Sequence, residues 1–172
     1  MSAARRIILI GPMGVGKTAV GRDLAKLLET DFADTDAEIE TRTGVDIGFI
    51  FDKEGEAGFR RREAAMLEEL LTRDKLVLST GGGIVLDPAN RERIAAAGTV
   101  VYLRANLDTQ LKRTCHSRKR PLLEQGDRRE RLIHLNAERA PLYETLADLT
   151  VATDEQTPRE VARELLAALI YH

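Results

Sequence analysis

Residues 11–18, with the sequence GPMGVGKT, are the part of this chain best suited to chemistry. Their spacing, G-x-x-x-x-G-K-[ST], is that of a phosphate-binding loop, in which glycines let successive backbone N–H groups turn toward phosphate oxygens. Lys17 can reach the β- and γ-phosphates of a nucleotide, and the Thr18 hydroxyl can ligate Mg²⁺. An ordinary strand-to-helix turn that happens to contain three glycines is the alternative, so the flanking elements matter.

The stretches on either side of this loop fit the phosphate-binding interpretation. A continuous apolar run at 6–10 predicts a strand buried on both faces, as in a parallel sheet. After the loop, apolar residues recur at helical spacing from Val20 to Leu28, and the N-terminus of that helix would add a positive dipole end near the phosphates. Strand, glycine-rich loop and helix is the context that the motif requires.

The rest of the chain alternates between apolar strands and helical patterns. Four more strands are predicted, at about 32–33, 76–79, 99–103 and 149–151. Helices are predicted at about 16–29, 35–43, 56–72, 88–97, from 107, at 127–146 and from 157, with short helical pieces over 44–58 and capping boxes at Thr35/Glu38, Asp127/Glu130 and Thr157/Glu160. This order predicts one α/β domain over 1–172, a three-layer α/β/α sandwich around a five-stranded parallel sheet.

Composition narrows the class of protein. The 172 residues are 43% hydrophobic and 31% charged, which indicates a globular chain, and the net charge of −2 argues against a nucleic-acid partner. The single cysteine, Cys115, excludes an internal disulfide and fits a reducing compartment. The apolar run near the N-terminus is too short for a membrane span or a signal peptide, so we expect a cytoplasmic protein with no membrane partner.

Two further stretches fall at predicted strand ends, where parallel sheets bind ligands. Asp34 and Asp36 follow the second strand: one carboxylate could accept a proton from an acceptor hydroxyl, and the other could hold Mg²⁺ through water. Both could instead simply favour a helix N-terminus. Residues 81–83, three glycines, could let a ligand approach the backbone, or form a loose turn.

Basic residues supply candidate anion contacts. Arg60 could hold an anionic substrate group in a bidentate fork, or belong to a solvated arginine face. The basic segment from Lys112 to 123 could close over nucleotide phosphates as a lid, or be a solvated run of charge. The phosphate loop favours the lid interpretation, because phosphoryl transfer needs cations over the moving charge and a site closed to water.

Taken together, six motifs resemble those of one family, the shikimate kinases of the nucleoside monophosphate kinase-like P-loop group. The resemblance covers nearly the whole chain. The motifs are GPMGxGKT at 11–18, DxD at 34–36, GFRxxE at 58–63, TGGG at 80–83, RPLL at 120–123 and RxPLY at 139–143.

The resemblance implies ATP-dependent phosphorylation of the 3-hydroxyl of shikimate, in the route to chorismate and the aromatic amino acids. It implies that Asp36 binds the ring hydroxyls and acts as the base, and that Arg60 and Arg139 clamp the carboxylate. Gly82 would contact the substrate through its backbone, and Lys17 and Arg120 would act in catalysis by neutralising the phosphates. Residues 34–62 would form a substrate-binding subdomain and 112–126 the lid.

The resemblance also implies an ATP site and a metal site, and we expect the protein to be a monomer. One Mg²⁺ per subunit would be held by Thr18, with Asp34 acting through water. No strand here ends in the aspartate that usually holds the metal in P-loop enzymes, so coordination must rely on Thr18, phosphates and water. The implied ATP contacts are Gly14, Val15, Gly16, Lys17, Thr18, Ala19, Arg113, Arg120 and Gln156.

Two other functions remain open at this point. A gluconate kinase would share the phosphate loop and the lid but would need no paired arginines facing a carboxylate. A non-enzymatic nucleotide-dependent switch would bind ATP without releasing ADP in response to an acceptor.

Overall fold

The computed structural model describes residues 6–115 and 127–171, in which strands and helices alternate. Each strand lies within one residue of its predicted bounds: β1 (Arg6–Ile10), β2 (Phe32–Asp34), β3 (Leu76–Ser79), β4 (Gly98–Arg104) and β5 (Leu149–Ala152). The helices are α1 (Lys17–Leu28), α2 (Thr35–Thr43), α3 (Ile47–Leu70), α4 (Pro88–Ala97), α5 (Leu107–Thr114), α6 (Arg128–Leu146) and α7 (Pro158–Ile170), with a 3₁₀ turn at Ile84–Leu86. None of the helices in these two ranges is long and apolar enough to span a bilayer.

The five strands form one parallel sheet in the order β2-β3-β1-β4-β5. Ser79 at the end of β3 is in register with Asp34 of β2 on one side and with Leu9 of β1 on the other. The carboxyl ends of these three strands therefore meet at one edge. The loops that follow them, which carry the phosphate motif, Asp36 and the glycine triplet, are brought together there.

Apolar residues on both faces of the sheet explain the three layers. Ile8 and Ile10 of β1 pack on one face with α3, α4 and α6, whereas Ile7 and Leu9 pack on the other with α1 and α7. All four side chains are at most 5% exposed. A continuous apolar strand is thus buried from both sides, and the predicted α/β/α sandwich is confirmed.

The helix starts agree only partly with the predicted capping boxes. The box at Thr157 and Glu160 is present. The predicted box at Thr35 and Glu38 is wrong, because α2 is capped one residue earlier by Asp34, which accepts from the N–H of Ala37. The Thr35 hydroxyl instead accepts from the N–H of Gly81, 3.0 Å away, and so joins the start of α2 to the loop after β3.

At α6 the predicted N-cap is correct, but its hydrogen bond is not. Asp127 accepts from the N–H of Arg129, one residue before the Glu130 N–H that a capping box requires. Residues 44–58 were predicted as short helical pieces, and the structure has one helix, α3, that is interrupted at Gly55. Gly55 has a φ of 72° and a ψ of 177°, a backbone conformation that favours glycine. This residue separates two helical segments of α3.

Candidate active site

The phosphate loop joins β1 to α1 and has the backbone shape that its motif predicts. Gly11, Gly14 and Gly16 all have positive φ, at 146°, 79° and 91°. This conformation favours glycine, so the motif glycines are needed for the curl of the loop. The Lys17 ammonium donates to the carbonyl oxygens of Gly11 at 2.6 Å and Pro12 at 2.8 Å, and so lies inside that curl.

Two oxygen-bearing side chains lie together at the start of α1. The Thr18 hydroxyl donates to one carboxylate oxygen of Asp34 at 2.7 Å, while the other oxygen of Asp34 caps α2. Oxygen ligands of this kind suit Mg²⁺, which usually keeps several waters. Within 6–115 and 127–171, no group of three or more His, Cys, Asp or Glu could hold a metal by itself. A magnesium ion here would rely on Thr18, phosphates and water, with Asp34 behind them.

One cavity of about 300 Å³ connects the phosphate loop to the start of α2 and to the loop after β3. It therefore brings Lys17 and Thr18 into the same space as Asp36 and Gly82. Its lining residues are Met13, Gly14, Gly16, Lys17, Thr18, Ala19, Asp34, Asp36, Ser79, Thr80, Gly81, Gly82 and Arg113.

The glycine triplet makes room for charged side chains. A Cβ on Gly81 would come within 2.9 Å of Glu63 Oε2 and 3.0 Å of Asp36 Oδ1. On Gly82 it would come within 3.3 Å of an Arg139 nitrogen, and on Gly83 it would overlap the Arg60 guanidinium. The triplet is therefore needed for close packing around a cluster of charges. The Gly81 N–H already donates to Thr35.

The two arginines of this cluster have donors left over. Arg139 is 3% exposed, and Arg60 pairs with Glu63 at 2.8 Å and with Glu56 at 3.3 Å. The Nε of each arginine is buried without a hydrogen-bond partner in the described part of the chain. A buried donor left unpaired costs about 1–3 kcal/mol, which an anion placed between them would recover. Neither arginine lines the cavity itself, but Arg139 lies against Gly82, which does.

Glu63 is a site residue to which sequence reasoning gave no role. It is 1% exposed, and burial raises its pKa to about 7 despite the opposing charges of Arg60 and Arg139. The nearby Asp36 raises its pKa further. A signal was present in the sequence, because an acidic residue stands at helical spacing between the apolar Phe59 and Leu67.

Tyr143 was also missed. Its hydroxyl donates to the carbonyl oxygen of Gly82 at 2.5 Å, and its ring is 1% exposed. Burial raises the pKa of Tyr143 well above its ordinary value. The tyrosine closes the RxPLY motif, but nothing in its spacing shows that its hydroxyl reaches the loop after β3.

The other residues that were predicted to contact the nucleotide lie at different places relative to the cavity. Arg113 donates to the carbonyl of Gly14 at 3.2 Å and to Thr153 at 3.0 and 2.9 Å, so it lies over the phosphate loop. Gln156 donates to the carbonyl of Ala152 at 3.4 Å and is not among the cavity residues. Val15 is fully buried in the core. Arg120 and most of the predicted lid lie outside the described residues.

Comparison with known proteins places this arrangement in a family. A family model described as shikimate kinase matches residues 13–170. The chain belongs to the shikimate kinase family. A shikimate kinase of Halorhodospira halophila is 55% identical over 95% of this chain and 93% of its own length. One from Vibrio campbellii is 50% identical over 98% of each.

Solved structures agree with this shikimate kinase assignment. A shikimate kinase from Acinetobacter baumannii in complex with shikimate has a TM-score of 0.95 at 45% identity, covering 98% of this chain and 94% of that one. A gluconokinase from Sinorhizobium meliloti has a TM-score of 0.58 at 20% identity, covering 97% and 92%. The latter shows that the fold is shared and no more.

Proposed function

We propose that this chain phosphorylates the 3-hydroxyl of shikimate with ATP, giving shikimate 3-phosphate and ADP, in the route to chorismate and the aromatic amino acids. The observation that carries the proposal is the single cavity that holds Lys17 and Thr18 together with Asp36 and Gly82. Membership of the shikimate kinase family and the relative solved with shikimate support the choice of substrate.

Phosphoryl transfer requires mainly positioning and neutralisation of charge. We infer that the N–H groups of the phosphate loop and the Lys17 ammonium hold the nucleotide phosphates. Thr18 would hold magnesium, with Asp34 acting through water, and that ion would neutralise charge on the phosphates when bound. The hydrogen bond of 2.7 Å between the two side chains supports this pairing.

Asp36 would accept the proton of the substrate hydroxyl. It lies in the first turn of α2, two residues after β2, and lines the same cavity as the phosphate loop, so an acceptor held in that cavity would have its hydroxyl near the carboxylate. Asp36 would take up the hydroxyl proton as the new oxygen–phosphorus bond forms. The attacking oxygen then becomes more nucleophilic. General-base assistance of this kind is worth about 10²–10⁴-fold in rate.

Arg60 and Arg139 would clamp the substrate carboxylate. Their unpartnered buried Nε donors support this role, because an anion would satisfy both. Gly82, which has no side chain to block the approach, would contact the ring through its backbone. An analogue without the carboxylate would leave these two buried Nε donors without a partner, so strong discrimination is expected.

Residues further from the reacting atoms complete the proposal. We infer that Gly14 to Ala19 and Arg113 surround the nucleotide, with Gln156 near the adenine, and that residues 34–62 form the substrate subdomain. Arg120 in a lid over 112–126 would stabilise the moving phosphoryl group, a role that rests on the family resemblance alone. The cytoplasmic location and the absence of nucleic-acid and membrane partners stay predictions.

A coupled assay of ADP release tests the proposal. The protein with MgATP should release ADP rapidly with shikimate, and slowly without an acceptor. Preferential turnover of gluconate would favour the gluconate kinase alternative. ATP binding with no acceptor-dependent release of ADP would indicate a nucleotide switch instead.

A further inference from the structure

Tyr143 is a buried polar side chain that the proposed reaction does not yet use. It lies on α6, one helical turn after Arg139, and its ring packs on that of Tyr102 with centroids 5.1 Å apart. Packing alone would explain an aromatic ring here. It would not explain a hydroxyl, because burying one is costly unless it forms a hydrogen bond.

The hydroxyl meets two parts of the proposed shikimate site. Its single proton is donated to the Gly82 carbonyl at 2.5 Å, so toward other groups it offers only acceptor lone pairs. The positive charge of Arg139 lies near this hydroxyl and opposes the rise in the pKa of Tyr143 that burial causes. A Cβ on Gly82 would lie 3.3 Å from an Arg139 nitrogen and 3.5 Å from the Tyr143 oxygen, so all three groups converge at Gly82.

We propose that the Tyr143 hydroxyl is a positioning group for the substrate carboxylate, fixing the Gly82 backbone and orienting the Arg139 guanidinium. This inference rests on the proposed function. The hydroxyl and an Arg139 terminal nitrogen lie together at Gly82, which leaves the buried, unpartnered Nε of that arginine for the carboxylate. The same hydroxyl fixes the Gly82 carbonyl, so the loop and the arginine are aligned by one atom.

The substitution Tyr143→Phe removes this atom and leaves the ring. Tyr102→Phe is the matched control, because it makes the same change on the stacked partner, whose hydroxyl is not the one bonded to Gly82. For Tyr143→Phe we expect the KM for shikimate to rise about tenfold or more, as for loss of a hydrogen bond to a charged group. The kcat and the KM for ATP should stay within about threefold of the wild type.

A second readout separates positioning from packing. The wild type should prefer shikimate strongly over its methyl ester, which lacks the negative charge, and Tyr143→Phe should shrink that preference about tenfold while Tyr102→Phe preserves it. A residue that only packs would change the melting temperature and leave this ratio unaltered.

The outcomes are distinct. Equal shikimate KM values and equal ester preference in the two variants would overturn the role of Tyr143, even if the wild type phosphorylates shikimate. A wild type that does not turn over shikimate would overturn the proposed function itself. Thermal unfolding and the KM for ATP, measured on both variants, establish that each is folded.

Discussion

Charged side chains at low exposure define this site at the scale of single residues. Glu63 is 1% exposed and Arg139 is 3% exposed, and ionised groups are rarely buried to this extent unless they are paired. Arg60 pairs with Glu63, yet one nitrogen of each arginine remains without a partner among the described residues. These two buried donors are available to an anion such as a carboxylate.

Asp36→Asn should abolish phosphoryl transfer while ATP still binds. The amide has nearly the same shape but cannot take up the proton of the acceptor, so kcat should fall by about 10²–10⁴-fold. The coupled assay measures the rate, and equilibrium binding of a nucleotide analogue measures the ATP site. Asp52→Asn, on an exposed side chain of α3, serves as the control. Unchanged turnover in Asp36→Asn would remove Asp36 from the role of base.

Glu63 should make the stability of the protein depend on pH. Burial raises its pKa from 4.5 to about 7, so between these values the folded protein binds a proton that the unfolded chain has released. The free energy of unfolding should therefore fall as the pH rises through this window, by on the order of 3 kcal/mol from this group.

Comparison with Glu63→Gln isolates this effect, because glutamine resembles the protonated form and does not titrate. Urea denaturation of both proteins at pH 5 and pH 8 measures it. Relative to the wild type, the Glu63→Gln variant should be more stable at pH 8 than it is at pH 5. A constant difference across this range would show that Glu63 titrates alike in the folded and unfolded states.

At the scale of elements, Asp34 links two helices to the proposed metal site. One of its oxygens caps α2, and the other accepts from Thr18 at the start of α1. Capping and metal binding therefore depend on the same side chain. They can be separated, because asparagine caps a helix about as well as aspartate but carries no charge.

Asp34→Asn should leave the free energy of unfolding nearly unchanged and raise the Mg²⁺ concentration for half-maximal activity about 10- to 100-fold. Asp34→Ala should have the same effect on Mg²⁺ and also lose about 1 kcal/mol of stability. Asp46→Ala, which removes the N-cap of α3, should lose stability without affecting the Mg²⁺ requirement. An unchanged Mg²⁺ requirement in both Asp34 variants would argue against its part in metal binding.

A second prediction at the scale of elements concerns the loop after β3. Gly83→Ala keeps an ordinary backbone, with φ near −90°, but its Cβ would overlap the Arg60 guanidinium. Arg60 must then move, so the KM for shikimate should rise about tenfold, and the loss of stability should be small because the overlapped atoms are the far end of a flexible side chain. Gly48→Ala is the control, because its nearest neighbour lies at an ordinary 3.4 Å. If Gly83→Ala bound shikimate normally, Arg60 would not be part of the clamp.

At the scale of the whole molecule, the strand order places three loops at one edge of the sheet. β1 lies between β3 and β4, and β2 pairs with β3, so the loops after β2, β3 and β1 are neighbours although they are far apart in the chain. α6 brings Arg139 and Tyr143 against the loop after β3 from one face. The described active site thus lies within one chain.

The chain is therefore predicted to be a monomer. The large exposed hydrophobic side chains of the described residues are spread over or beside four helices, α1, α3, α6 and α7, and comprise Leu27, Phe49, Ile133, Ile170 and Tyr171. Light scattering coupled to size exclusion should give a mass near 19.1 kDa at micromolar concentration. A mass of twice this value would show a dimer.

Prediction from sequence succeeded where local pattern determines the result. Continuous apolar runs predicted β1, β3 and β4, which are largely buried within the sheet. The edge strands β2 and β5 are short and only partly buried, and were predicted from their place in the alternation of strands and helices. Capping was less predictable. Thr35 looked like an N-cap from its spacing to Glu38, but its hydroxyl bonds to Gly81 across the site, and Asp34 takes the cap. Where a side chain has two possible hydrogen-bond partners, the tertiary contacts decide which of them it binds.

The sequence by itself determined the phosphate loop, the individual strands and the motifs, because each is a pattern of residues close together in the chain. Only the tertiary structure decided which distant groups meet at the site. Tyr143 reaches Gly82 from α6, and the glycine triplet clears space for both arginines. These contacts join residues up to 61 positions apart, and their strength comes from burial, which no local spacing encodes.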